Sequence, residues 1–341
     1  MRSNTASVWR LVAINTLVFI ATLLILEFIS FGILSRTGNH CTPVYCKSQR
    51  NVMPAHPVLG WTNNMVKATQ SGGIQIPGWI FYPSGISSSD TLRLAIVGGS
   101  TSDNVFQPDN WPIKLQKILE SNGVAVSLYN GATAGYSSNQ ELSVVKNYLQ
   151  DIKPHFLISY SGVNECVNFK RLNNQITFST GLANNQLLPN LLVAASKIRD
   201  RKRKNDFGGC HGKDGQELAL QWLSNMGEMN SIAKTNGVQF ISIIQPSVVT
   251  LNPRKVEFEN DISISDYLTT FYAVVNKNRQ SKNFIFDLTH IFNDSPDVYL
   301  DDCHVTDEGN RIVAKQVYDV LETYRISNVL AGQSMMTIDE K

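Results

Sequence analysis

The stretch "LRLAIVGGSTSDN", Leu92 to Asn104, decides the fold. Its first seven residues are an apolar run of buried-strand length, and the two glycines and the Ser-Thr-Ser that follow mark a turn. Next comes "NWPIKLQKILESNG", with Trp111, Ile113, Leu115, Ile118 and Leu119 at near-helical spacing and Gly123 as a stop. The same unit then recurs. "VAVSLYNG" (124–131) reads as a strand, "NQELSVVKNYLQ" (139–150) as a helix, and "HFLISYSG" (155–162), after the break at Pro154, as a third strand. Further on, a helix at 214–235 precedes the strand "GVQFISII" (237–244). A helix at 262–278 precedes the strand "NFIFDLT" (283–289), and "TDEGNRIVAKQVYDVLETYR" (306–325) is a final helix. Strands alternating with long helices imply a parallel sheet covered on both faces. The expected fold is therefore α/β, a three-layer α/β/α arrangement around a mostly parallel five-stranded sheet, with no internal repeat.

The first fifty residues have a different character. "LVAINTLVFIATLLILEFISFGIL", Leu11 to Leu34, carries one formal charge, Glu27. At about 1.5 Å rise per residue it is long enough to cross a hydrocarbon core as a helix. Arg2 and Arg10 ahead of it favour a cytoplasmic N-terminus. The apolar region is longer than that of a cleaved signal peptide, and no A-x-A-like site follows it. A single-pass anchor is expected, with the remainder extracytoplasmic, on the periplasmic or cell-surface side.

The chain has 341 residues, 43% hydrophobic and 17% charged, with a net charge of +2. That balance suits a large core and gives no pointer to nucleic acid. Of the five cysteines, Cys41 and Cys46 in "HCTPVYC" are spaced for a local disulfide in an oxidising compartment. The connectivity of Cys166, Cys210 and Cys303 is open. No Cys/His spacing of zinc type occurs, so no metal is expected.

In open parallel sheets ligands bind beyond the carboxyl ends of the strands. Four polar blocks fall there. Ser100 follows the first strand. It is no phosphate loop, for no lysine lies between Gly98 and Lys114, and "GGSTS" lacks the G-x-S-x-G elbow. A nucleophile or a helix N-cap remains. "NGATAGYSS" (130–138) follows the second strand and offers Gly135, whose backbone N–H has no Cβ to shield it. "YSGVNE" (160–165) follows the third and offers Asn164, a neutral donor. "YLDDCHVTDEGN" (299–310) offers Asp301 and His304, three apart in a polar loop with Thr306 as an N-cap. Asp302 is the alternative carboxylate. Asp287 and His290 have the same spacing but begin inside a strand, where a three-residue step sends side chains to opposite faces.

These blocks, in this order, resemble the SGNH hydrolases of the GDSL superfamily over roughly residues 92–325. The resemblance implies a flavodoxin-like sheet, a Ser100–His304–Asp301 triad and no cofactor. It also implies an oxyanion hole from Ser100, Gly135 and Asn164. Two departures stand out: Gly99 precedes the serine where aspartate is usual, and Glu165 replaces an aspartate. Gln245, just past the fourth strand, with Glu165 and Thr101, are candidate substrate contacts, and Ser247 lies at the same rim. The basic run "KIRDRKRK" (197–204) reads as a solvated helix end or a contact for an anionic glycan or headgroup. The implied layout is a cytoplasmic segment 1–10, an anchor 11–34, a linker with short strands 35–90, a catalytic domain 91–330 and a tail 331–341. The implied activity is removal of small acyl groups, such as O-acetyl, from a cell-surface glycan. An acyltransferase using the same triad, or a non-catalytic glycan-binding protein, is the alternative. The expected partners are an acylated small molecule or glycan and, through 11–34, the membrane. Oligomeric state is open.

Overall fold

The computed structural model describes residues 4–36, 55–56, 60–61, 72–165, 212–252, 262–324 and 326. The chain divides into two units, one of residues 1–64 with 174–208, the other of 65–173 with 209–341.

The first unit holds α1 (Asn4–Arg36) and a two-stranded antiparallel pair, β1 (Ala55–His56) with β2 (Gly60–Trp61). The α1 backbone is helical for 33 residues and so covers the whole expected anchor. Among its described side chains, 14–30, most are apolar and exposed, with Leu17 66% and Phe28 78% exposed. Over the described residues, no helix is long and apolar enough to cross a membrane.

The second unit is built on a seven-stranded sheet. Its strands are β3 (Ile74–Ile76), β4 (Trp79–Tyr82), β5 (Leu92–Gly98), β6 (Val126–Asn130), β7 (Phe156–Ser161), β8 (Gln239–Ile244) and β9 (Ile285–Asp287), in the order β3-β4-β6-β5-β7-β8-β9. The last five run parallel to one another, and their order is the flavodoxin-like 2-1-3-4-5. The expected five strands are all present, but the sheet has seven. The additional pair comes from the segment read as linker: β3 and β4 form an antiparallel hairpin, and β4 pairs antiparallel with β6. The hairpin turns at Pro77-Gly78, where Gly78 takes φ +75, the conformation a type II-like turn needs at its second central position. Trp79, Ile80 and Tyr82 are buried, so this hairpin belongs to the domain and begins before position 91.

The helices are α2 (Trp111–Ser121), α3 (Ser138–Ile152), α4 (Gly212–Thr235), α5 (Ile262–Asn278) and α6 (Asp307–Thr323). Helices α2 and α6 pack together, and α4 packs against both α3 and α5. Alternation along β5 shows why the sheet needs two layers. Leu92, Leu94 and Ile96 join a core with Trp111, Leu115 and Leu119 of α2 and Val313 and Val317 of α6. Ala95 and Val97, pointing the other way, are equally buried. Gly98 pairs with Tyr160 and Ile96 with Asn130, so the loops after β5, β6 and β7 leave the sheet at one edge.

Candidate active site

Ser100 lies two residues beyond β5, in a turn closed by Ser102 N–H donating to Gly99 O (3.1 Å) and Asp103 N–H donating to Ser100 O (3.3 Å). The loop from Gly99 to Asn110 is held by buried polar groups. Asp103, 2% exposed, accepts through Oδ1 from the N–H groups of Val105 and Phe106, and through Oδ2 from Ala134 N–H at 2.9 Å. One carboxylate thus joins the serine loop to the residue before Gly135. Asn130, at the end of β6, donates to Ser102 O at 2.7 Å and to Asn104 Oδ1, and accepts from Ala132 N–H.

The histidine arrives from the other end of the chain. A bridge between Tyr299 and Val305, with Leu300 N–H donating to His304 O at 2.8 Å, closes its loop. Asp301 Oδ1 accepts from the backbone N–H groups of Cys303 (2.9 Å) and His304 (2.7 Å), and Oδ2 lies 2.7 Å from His304 Nδ1. His304 Nε2 lies 2.7 Å from Ser100 Oγ. Partial burial would raise the Asp301 pKa, but the bonds from His304 and the two backbone N–H groups outweigh it and hold the carboxyl at about 2. An ionised Asp301 requires a proton on Nδ1, which leaves Nε2 as the acceptor facing the serine. The two loops are kept in register from behind. Lys114 of α2, nearly buried, bridges Asp109 (3.0 Å) and Asp307 of α6 (2.6 Å), and Asn310 Oδ1 accepts from Trp111 N–H (3.0 Å). Thr306 caps α6, accepting from Gly309 N–H.

Gly135 has φ +81, a conformation that suits glycine, in the loop after β6. Asn164, beyond β7, donates from Nδ2 to Tyr136 O at 3.0 Å, which brings its amide against the Gly135 loop. The next residue reinforces this contact. Glu165 Oε1 accepts from Ser138 N–H (2.9 Å) and Oε2 from Ser138 Oγ (2.7 Å), at the first turn of α3. Behind it lies a second buried carboxyl. Glu141 Oε2 accepts from Ser159 Oγ at 2.6 Å while Oε1 has no partner. Burial pushes Glu141 up to about 8 and Glu165 up to about 7, the latter opposed by its bonds from Ser138.

The three candidate substrate contacts are buried. Glu165 is 3% exposed, and both its oxygens accept from Ser138. Thr101 is buried with an unpartnered Oγ1. Gln245 is anchored through its backbone, donating N–H to Ser161 O and accepting from Tyr272 OH (2.8 Å). Ser247 caps a short 3₁₀ turn, Val248–Thr250. Asp287 and His290 do not meet: Asp287 takes Thr289 and Arg279, and His290 Nδ1 lies 3.1 Å from Thr250 O. His304 pairs with Asp301; the Asp302 backbone O accepts from Val248 N–H.

Among the described residues, Cys303 is a free cysteine. Burial and the charges of Asp301 and Asp302 raise its thiol pKa, so the thiolate form is disfavoured. Among the described residues, Asp301, Cys303 and His304 bring ligand-type atoms within 4.8 Å, but Oδ2 and Nδ1 are already bonded to each other. Cys41, Cys46, Cys166, Cys210 and the basic run 197–204 lie outside the described residues. Sequence reasoning missed Asp103, which reads as one more turn residue, and Phe106. The Phe106 ring, 47% exposed, tilts over His304 with 5.4 Å between centroids.

No family model matches the chain, and no curated protein matches it. Solved structures do resemble it. An acetyl xylan esterase, AlAXEase, is 13% identical, with 67% of this chain and 100% of that one covered, at a TM-score of 0.42. The psychrotrophic esterase EstA from Pseudoalteromonas sp. is 13% identical over 69% and 98% of the two chains, at 0.41. A GDSL-like lipase from Bacteroides thetaiotaomicron is 13% identical over 76% and 96%, also at 0.41. Likenesses this distant carry no argument about activity, so the functional case rests on the site's own geometry.

Proposed function

We propose that this chain is a serine esterase of the SGNH type, with Ser100 as nucleophile, His304 as general base and acid, and Asp301 as the group that orients the imidazole. The observation that carries the reading is the hydrogen-bonded relay Ser100 Oγ–His304 Nε2 and His304 Nδ1–Asp301 Oδ2, both at 2.7 Å, at the carboxyl edge of the sheet. A helix-cap role for Ser100 would not call for an imidazole on its hydroxyl. In the reaction, His304 takes the Ser100 proton as Oγ attacks the ester carbonyl. The Ser100 and Gly135 N–H groups and the Asn164 amide hold the oxyanion. His304 then protonates the leaving alcohol, and water, activated the same way, releases the acid.

The substrate class is a small acyl ester, such as O-acetyl, on a cell-surface glycan, and this rests on the resemblance of the four blocks together with the anchor. The anchor reading rests on the apolar run Leu11–Leu34 of the sequence; the apolar side chains described in α1 are largely exposed, and such a surface is costly in water. On this reading the N-terminus is cytoplasmic, as Arg2 and Arg10 ahead of the run favour, and the remainder is extracytoplasmic.

The test is fluorophosphonate labelling and aryl acetate turnover by the full chain in detergent, followed by product analysis with an acetylated glycan. Labelling and turnover lost in Ser100→Ala support the reading. Activity surviving in Ser100→Ala, or absent from the wild type, ends it. A sugar ester formed in place of free acetate would identify a transferase.

A further inference from the structure

Gly99, immediately before the nucleophile, is glycine for a reason that its own backbone does not supply. Its φ lies outside the left-handed region occupied by Gly72, Gly78, Gly123, Gly135, Gly162 and Gly237, so an L-residue meets no conformational barrier there. The obstacle is a side chain. A Cβ on Gly99 would lie 2.3 Å from Asn164 Nδ2 and 3.5 Å from Asn164 Cγ, whereas Tyr136 O, at 3.4 Å, is in ordinary contact range. Gly98 differs, since a Cβ there would meet the Tyr160 backbone carbonyl at 2.7 Å.

We infer that Gly99 is a positioning residue for the oxyanion site: its bare Cα is the surface on which the Asn164 amide is seated beside Ser100. Three contacts define that seat. Tyr136 O accepts from Asn164 Nδ2 at 3.0 Å, the following residue, Glu165, accepts from Ser138 N–H and Oγ, and Gly99 leaves the space the amide fills. The Nδ2–Tyr136 bond uses one of the two amide hydrogens and leaves the second for a ligand. A Cβ at 99 leaves Nδ2 no room in this position, and the amide must shift to admit it. The glycine that departs from the family pattern thus belongs with Asn164, and the two form one unit. This inference rests on the proposed oxyanion role of Asn164 only for its kinetic consequence; the seat itself is a matter of packing.

The test is a double-mutant cycle in the full chain, read by esterase kinetics and by thermal midpoint. Gly99→Ala is expected to lower kcat on an aryl acetate about 100-fold with KM within about threefold, as for loss of one oxyanion donor. In the Asn164→Ala background, where the obstructing amide is gone, Gly99→Ala is expected to lower neither kcat nor the midpoint further. Costs that multiply in kcat and add in midpoint would overturn the inference, as would wild-type kcat in Gly99→Ala. If Gly99→Ala alone fails to fold, the pair with Asn164→Ala must fold; failure of both places the obstacle in the backbone and ends the proposal. Should the wild type prove inactive, the esterase reading falls, while non-additive midpoints would still support the seat.

Discussion

Glu141 makes the stability of the second unit fall as pH rises, by an amount its burial sets. Its carboxyl is fully buried in α3, where Oε2 accepts from Ser159 Oγ and Oε1 has no hydrogen-bond partner. Burial pushes its pKa from 4.5 up to about 8, and the neighbouring charge of Glu165 adds to the shift. The native state therefore holds a proton that the unfolded chain releases above pH 4.5. An acid of this kind contributes its full stability below the unfolded pKa and loses it as pH climbs through the folded one. At about 1.36 kcal/mol per unit, the loss reaches about 4 kcal/mol by pH 8. Glu165 acts in the same direction, with a pKa raised to about 7, but the two share one buried site and their effects do not simply add. Against a typical stability of about 5–15 kcal/mol, this is decisive. The assay is guanidinium unfolding of the wild type and of Glu141→Gln at steps from pH 5 to 9. The wild-type midpoint should drop steadily. The variant should lose about half of that slope below pH 7 and nearly all of it above, the remainder belonging to Glu165, and should start about 1–3 kcal/mol lower at pH 5 because its amide N–H groups meet the same partnerless space. A wild-type midpoint flat or rising from pH 5 to 8.5, or an unchanged slope in Glu141→Gln, would refute the reasoning.

Three further outcomes are expected. Asp301→Asn should lower kcat about 10³–10⁴-fold by favouring the wrong imidazole tautomer, and since Asp301 titrates near 2, no acid limb of wild-type activity above about pH 4 should belong to it. Asp103→Ala should cost about 2–4 kcal/mol in unfolding experiments and also reduce kcat, because it frees the serine loop and the Gly135 loop from each other; an effect on stability alone would show that the tie is structural only. Phe106→Ala, at an exposed ring beside His304, should leave the unfolding midpoint within about 0.5 kcal/mol of wild type. It should lower kcat/KM for esters of bulky alcohols more than for ethyl acetate, because His304 protonates the alcohol side; equal losses would place the ring elsewhere.

The five parallel strands were legible because each is an apolar run long enough to bury both faces and is closed by a turn signal. The β3–β4 hairpin was not. Strands of three and four residues in a Gly/Pro/Ser-rich segment have too little periodicity, and only pairing with β6 makes them part of the sheet. The site divides in the same way. That Ser100, Gly135 and Asn164 gather at one edge of the sheet follows from chain order alone, since parallel strands carry their following loops to one edge. The choice of Asp301–His304 over Asp287–His290 also followed from local geometry, a polar loop against a strand.

What sequence could not decide was the direction in which each polar side chain points once several loops meet. Glu165 reads as a polar residue at a strand end, but its carboxylate turns inward to α3 and is spent on Ser138. Asp103 reads as turn chemistry, but it reaches across to Ala134. Gly99 reads as a departure from a motif until Asn164, far along the chain, is seen to fill the space above it. Strand, helix and edge are dictated by periodicities that span a few residues. Burial, carboxyl pKa and the seat of an amide depend on atoms brought together from loops distant in sequence, and only the tertiary structure places those atoms.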